Sequence, residues 1–254
     1  MSRSDPTNLQ PFVDRLLARS VLTPDEIQAI LALPVHPVEV RGQTDFVQVN
    51  EKTSCACFIA SGMVARFGET RDGQRQITAF HIPGDMVDLN SVVRPIAVGG
   101  LTTLCNTTIL EVPHTAIRAL AVRYPAVAEA FWRDTMLDAA ILMQWVVNVG
   151  KQRAKTRLAH IFCEMAIRLG GDRQILQEYD FPVSQERLAE AAGMTGVHVN
   201  RSLKALREEG LVTVKRYSVK IHDWQRLAQT GEFEADYLVA DTGTDRRARL
   251  LAGD

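Results

Sequence analysis

No run of 18 uncharged apolar residues occurs in this 254-residue chain. The longest apolar stretch, 135–149, is interrupted by Asp138, Gln144 and Asn148, so nothing in the sequence asks for a bilayer. The N-terminal Met-Ser-Arg-Ser-Asp-Pro lacks the apolar core of a secretory signal, and a cytoplasmic protein is expected. Enzymatic signatures are missing as well. There is no Gly-x-Ser-x-Gly elbow, no phosphate-binding glycine loop and no His-Glu-x-x-His, which argues for a non-enzyme. Cysteine is scarce, with four residues at 55, 57, 105 and 163 whose spacing fits no metal template. Cys55 and Cys57 share one face of a strand, with Cys105 placed on a later strand. A metal or redox site built from these three stands as an alternative to their use as small core residues.

What is present divides the chain. At 46% hydrophobic and 23% charged residues it can hold two domains with ordinary cores. The net charge of −1 hides an imbalance: residues 151–230 carry fourteen Lys and Arg against nine Asp and Glu, a balance of +5 that leaves −6 for the rest. From about 36 to 113 the pattern is one of short strands with turn punctuation. Gly62, Gly73 and Gly84 recur every eleven residues, Asp72-Gly73 and Pro83-Gly84-Asp85 read as turns, and strands are expected near 57–59, 63–67 and 76–81.

The C-terminal part carries the most specific pattern. Ser184 is placed to cap a helix with Leu188, Ala191 and Ala192 on one side, and Gly193 supplies the left-handed residue that ends it. A second helix begins at Thr195, with Val199, Leu203 and Leu206 inward. Val197, Arg201 and Lys204 then face outward, with His198 and Asn200 at the edges. Two amphipathic helices joined at a glycine occur in many α-rich proteins. Here Leu211 to Lys215 and Ser218 to Ile221 alternate at period two around Arg216-Tyr217, which adds a hairpin and predicts a winged helix-turn-helix. Lys215, Arg216 and Lys220 suit phosphate contact on that wing, although a solvated charged hairpin would look the same.

Over residues 20–238 the chain resembles the Crp/Fnr family of bacterial transcription regulators. The segments that carry the resemblance are Gly62 to Val64, Asp72 to Ile77, Pro83-Gly84-Asp85, Val197-His198-Val199-Asn200-Arg201, and Trp224 to Leu227 with Tyr237-Leu238. It is most similar to members whose recognition helix reads Val-His-Val-Asn-Arg. The resemblance implies an α+β fold with a β-roll sensor like a cyclic-nucleotide-binding jelly roll with flanking helices (1–124), a dimerisation helix (125–150), a winged helix-turn-helix (151–238) and a mobile tail (239–254). It further implies a homodimer on a two-fold symmetric DNA operator, with RNA polymerase as a partner. Ser184, Thr195, Val197, His198, Asn200, Arg201, Lys204, Lys215 and Arg216 would face DNA. In the family the position matching Arg201 reads guanine, while the position matching Val197 is usually a Glu, so the family's usual operator is in doubt.

The family's effectors fit poorly. Cyclic-nucleotide binders carry Gly-Glu for the ribose and a later Arg-Ser/Thr-Ala for the phosphate; here Gly84-Asp85 is one methylene short, and the second element reads Ala97 to Thr103 with no Arg. Arg94, Thr102 and Thr103 are the remaining candidates for that pocket beside Gly84 and Asp85, and cyclic AMP is not expected. The N-terminal cysteine cluster of the iron–sulfur branch has no counterpart, so a 4Fe-4S cluster is not expected either. His81 and His114 are the residues a haem could use, against structural roles in which His114 caps the helix after Pro113. The expectation is a signal at the roll other than cyclic AMP. A ligand-free regulator set by abundance or by a partner protein, or a cysteine or haem redox sensor, remain alternatives. For the helix over 125–150, which is apolar nearly all round, the expected dimer contacts are Phe131, Leu137, Ile141, Gln144 and Asn148.

Overall fold

The computed structural model describes residues 8–171 and 174–238. Residues 1–7 and the expected mobile tail, 239–254, lie outside the described residues. Among the described residues the chain groups into two compact units: residues up to Val64 with His81–Ala139, and Ala65–Phe80 with the described residues from Ala140 to Leu238.

The first unit begins with a flanking helix whose place the sequence left open. Helix α1, Gln10–Leu17, buries Phe12, Val13 and Leu16 together with Leu9 before it, a 9, 12, 13, 16 spacing that is itself a helical stripe. Helix α2, Pro24–Leu31, starts on a capping box in which Thr23 accepts from the Glu26 amide and Glu26 accepts from the Thr23 amide. Strands β1 (His36–Val40), β2 (Asp45–Val47) and β3 (Cys55–Ser61) follow. Strands β4 (Val64–Glu69) and β5 (Arg75–His81) come next, then a 3-10 turn at Leu89–Val92, β6 (Gly100–Thr103) and β7 (Thr107–Pro113). An antiparallel sheet runs β1-β7-β3, with His36 opposite Glu111 and Phe58 opposite Leu110, while β2 pairs with β6. Helix α3, His114–Arg123, leads into α4, Pro125–Lys151. The core is aromatic at its centre: the Phe12 ring stacks on Phe131 at 6.0 Å and meets Phe58 edge-on at 6.2 Å.

The second unit contains the β4–β5 hairpin, whose turn at Asp72-Gly73 relies on Gly73 at φ 80°. It is joined there by α5 (Ala154–Gly170), β8 (Glu178–Asp180), α6 (Gln185–Ala192), α7 (Gly196–Glu208), β9 (Val212–Lys215), β10 (Ser218–Ile221) and α8 (Trp224–Thr230). The expected wing is the pair β9–β10, in register with Lys215 opposite Ser218. Unforeseen, β8 adds a third strand beside β10. The Phe80 ring packs edge-on against both Trp145 at 5.3 Å and Phe181 at 5.4 Å.

Candidate DNA interface and effector site

Helices α6 and α7 form as the sequence dictates. Ser184, half-buried, accepts from the Arg187 amide at 3.2 Å; Gly193 sits at φ 59°, ψ 47°; and Thr195 accepts from the His198 amide at 3.4 Å. A Cβ on Gly193 would lie 2.7 Å from Val149 Cγ1, so close packing as well as backbone shape excludes other residues there. Two residues that sequence reasoning passed over hold this turn. The Arg157 guanidinium donates to the carbonyls of Ala192 and Gly193 at 2.8 and 3.1 Å, and the Gln76 amide donates to the carbonyl of Ala191 at 3.1 Å. These are acceptors that a helix C-terminus leaves open, so a hairpin and a neighbouring helix complete the motif.

On α7, Val199, Ser202 and Leu206 are buried, whereas Val197, His198, Asn200, Arg201 and Lys204 are exposed. Arg201 makes no ion pair among the described residues. Lys204 lies 3.7 Å from Glu208 with both groups more than half exposed, a contact too weak to hold it away from another anion. Thr195 and His198 engage each other through Oγ1 and Nδ1 at 3.2 Å. Lys215 and Arg216 are exposed on the wing, where Arg216 takes φ 52° to close the two-residue turn.

Of the candidate effector residues, Asp85 and Thr103 are already engaged by other groups of the chain. Asp85 is buried, and its Oδ1 accepts from Arg15 Nη1 at 2.6 Å while Oδ2 accepts from the Ile82 amide at 3.1 Å. Arg15 also donates through Nε to Asp134 at 2.6 Å and stands 3.6 Å from Asp138, joining α1, the 83–85 turn and α4. Burial works against the guanidinium charge, but the three carboxylates outweigh it and hold the group protonated more firmly than usual. The Thr103 hydroxyl donates to the Arg41 carbonyl and accepts from the Thr44 amide; Thr102 is buried on β6 opposite Asp45; Arg94 is exposed. Inside the roll Val47, Ile59, Val64, Val87 and Leu101 pack together.

The cysteines are free. Cys57 is buried, and burial, with Asp88 and Glu111 nearby, pushes its thiol well above the ordinary range. Cys105 was expected on a strand; it lies instead between β6 and β7, where its backbone backs onto Gly42. Among the described residues no group of three or more His, Cys, Asp or Glu side chains is arranged around a common point for a metal. His81 lies 3.5 Å from Asp85 Oδ2. His114 does not cap α3 with its side chain; Nε2 meets Ser91 Oγ at 2.7 Å, and burial lowers the imidazole below its ordinary value.

On helix α4 most of the residues expected at a dimer contact are covered by their own chain. Phe131, Leu137, Ile141 and Asn148 are buried within their own chain, and Gln144 is half-buried. Asn148 donates to the Arg157 carbonyl at 3.3 Å, and the neighbouring Trp145 indole to Glu164 at 2.9 Å. The exposed stripe is Trp132, Met136, Ala139, Met143, Val146 and Gly150. Its steps of 4, 3, 4, 3 and 4 are those of a coiled-coil seam. The expected set lies beside that stripe rather than on it, because in a helix apolar all round periodicity alone does not say which side the chain covers itself.

Comparison with known proteins agrees with this architecture. The description cyclic nucleotide-binding domain matches residues 37–124, and Crp-like helix-turn-helix domain matches residues 156–230. The Bordetella pertussis transcriptional regulatory protein btr is 22% identical over 205 residues, covering 81% of this chain and 85% of that protein. The Stutzerimonas stutzeri transcriptional activator protein FnrA is 24% identical over 186 residues, covering 72% and 75%. The structure of FixK2 from Bradyrhizobium japonicum superposes with a TM-score of 0.73 at 23% identity, covering 80% of this chain and all of that one. No helix among the described residues is long and apolar enough to cross a membrane.

Proposed function

Because the chain belongs to the Crp/Fnr family of DNA-binding transcription regulators, which are not enzymes, we propose that it works as a homodimer. The dimer closes along α4 and binds a two-fold symmetric operator in the cytoplasm, in concert with RNA polymerase. The exposed 4,3-spaced stripe from Trp132 to Gly150 carries this reading: an isologous seam buries six apolar or small positions twice over. Arg201 reads guanine through O6 and N7, and Asn200, His198, Lys204, Lys215 and Arg216 supply further contacts, mainly to phosphate. Ser184 and Thr195 serve chiefly as helix caps. A signal other than a cyclic nucleotide sets the activity, because Asp85 is already paired with Arg15 and the Thr103 hydroxyl is hydrogen-bonded to backbone groups. Light scattering of the intact protein at tens of micromolar should give twice the chain mass of 28.2 kDa; a monomer refutes the seam. Calorimetry with cyclic AMP and cyclic GMP should show no binding at micromolar ligand, and a micromolar dissociation constant refutes the effector reading.

A further inference from the structure

Val197 is 68% exposed, the most of any large apolar side chain among the described residues of 152–238; the others above one-third are Tyr217 at the wing turn and Ile175. Single exposed apolar residues are ordinary. This one, however, shares a helix face with Arg201, one turn away, where side chains three and four apart are neighbours. Gly196 beside it adds no bulk, and the space where a Cβ would stand is open to 4 Å. A flat molecular edge can therefore reach Val197 unobstructed. Valine has no donor or acceptor, and its χ1 is nearly fixed within a helix, so its methyl groups are presented with little further ordering. In the major groove the matching apolar group is the C5-methyl of thymine.

We propose that Val197 selects a thymine in each half-site by contact with the 5-methyl group, within about two base pairs of the guanine read by Arg201, since one helical turn rises 5.4 Å against roughly 3.4 Å per base pair. The inference rests on the reading of α7 as the recognition helix. It assigns sequence preference to a residue that forms no hydrogen bond with DNA, and it replaces a carboxylate's preference for the cytosine amino group with one for a methyl group.

The test uses the full-length protein. Selection from a random duplex pool gives the half-site, and each thymine is then replaced in turn by deoxyuridine, which removes the methyl group and leaves every hydrogen-bonding group in place. At one thymine per half-site the affinity should fall about fourfold, the value of one methyl group taken out of water. Val197→Ala should abolish that loss while retaining the guanine preference that Arg201 confers. Selection with Val197→Glu should exchange the thymine for a pair that presents the cytosine amino group. Wild-type protein that tolerates uracil at every thymine, or Val197→Ala that keeps the same fourfold loss, overturns the inference while the recognition helix stands. A chain that enriches no sequence at all overturns both.

Discussion

Arg201 and Lys204 are three residues apart on α7, and both are exposed, yet their chemistry divides them. A guanidinium can bond two acceptors on one guanine edge, whereas an ammonium is a point charge suited to phosphate. Arg201→Ala should cost about 1–3 kcal/mol on the operator and relax preference at one base pair per half-site. Lys204→Ala should weaken operator and scrambled duplex alike and reduce the salt slope by about one. Titrations of both variants at several salt concentrations check this; equal losses on the two DNAs for Arg201→Ala would make it a phosphate contact. Arg15 poses a different case, because Asp85 and Asp134 are each 2% exposed and face it at 2.6 Å. Arg15→Met should leave buried carboxylates without their cation and lower stability by about 3–5 kcal/mol, seen as an earlier urea midpoint. The sequence showed the outward set on α7, since Val199 and Leu206 fix its inner face. It gave no sign of Arg15, whose carboxylate partners are 70 and 119 residues away.

Elements carry the next level of argument, and α4 shows where periodicity stops being informative. Its 27 residues hold too many apolar side chains to mark a single face, and only partners on other elements decide it: Glu164 for Trp145, and the Phe12 ring for Phe131. Met143→Lys should therefore give a folded monomer by light scattering, since Met143 is 67% exposed. Leu137→Asp, at a position 6% exposed, should cost several kcal/mol and reduce the folded fraction itself. A dimeric Met143→Lys would place the seam elsewhere. Helix α5 makes a pH prediction. His160 lies beside Tyr237, at 3.2 Å from its hydroxyl, and Phe233, and burial lowers its imidazole below the ordinary value even with Glu164 nearby. The unfolded chain then binds the proton more readily than the folded one, so this contribution to stability is complete above about pH 6.5 and is lost as pH falls through the ordinary histidine range. Urea unfolding between pH 7.5 and 5.5 should show that decline, and His160→Gln should flatten it.

At the scale of the whole molecule, two half-sites about one helical turn apart are expected from a two-fold dimer, and footprinting of the selected operator measures the spacing. The order of elements was legible because several motifs occur in sequence: Pro83-Gly84-Asp85 makes a turn at Gly84 φ 98°, and Ser184, Gly193 and Thr195 occupy the cap and turn positions their chemistry predicts. Helix α1 and strand β8 were not, the first although Leu9, Phe12, Val13 and Leu16 are spaced for it, the second because a three-residue strand with only Tyr179 buried has too short a pattern to count. Helix α1 also sets a timetable. Arg15 and Asp134 are 119 residues apart, and at about 5–20 residues per second of synthesis the carboxylate is made some 6–24 s after the cation. Until then Phe12 and Phe131 have yet to meet, so the N-terminal unit cannot finish folding before the start of α4 has emerged. A message truncated before α4 would release a product that chaperones and proteases recognise as incomplete.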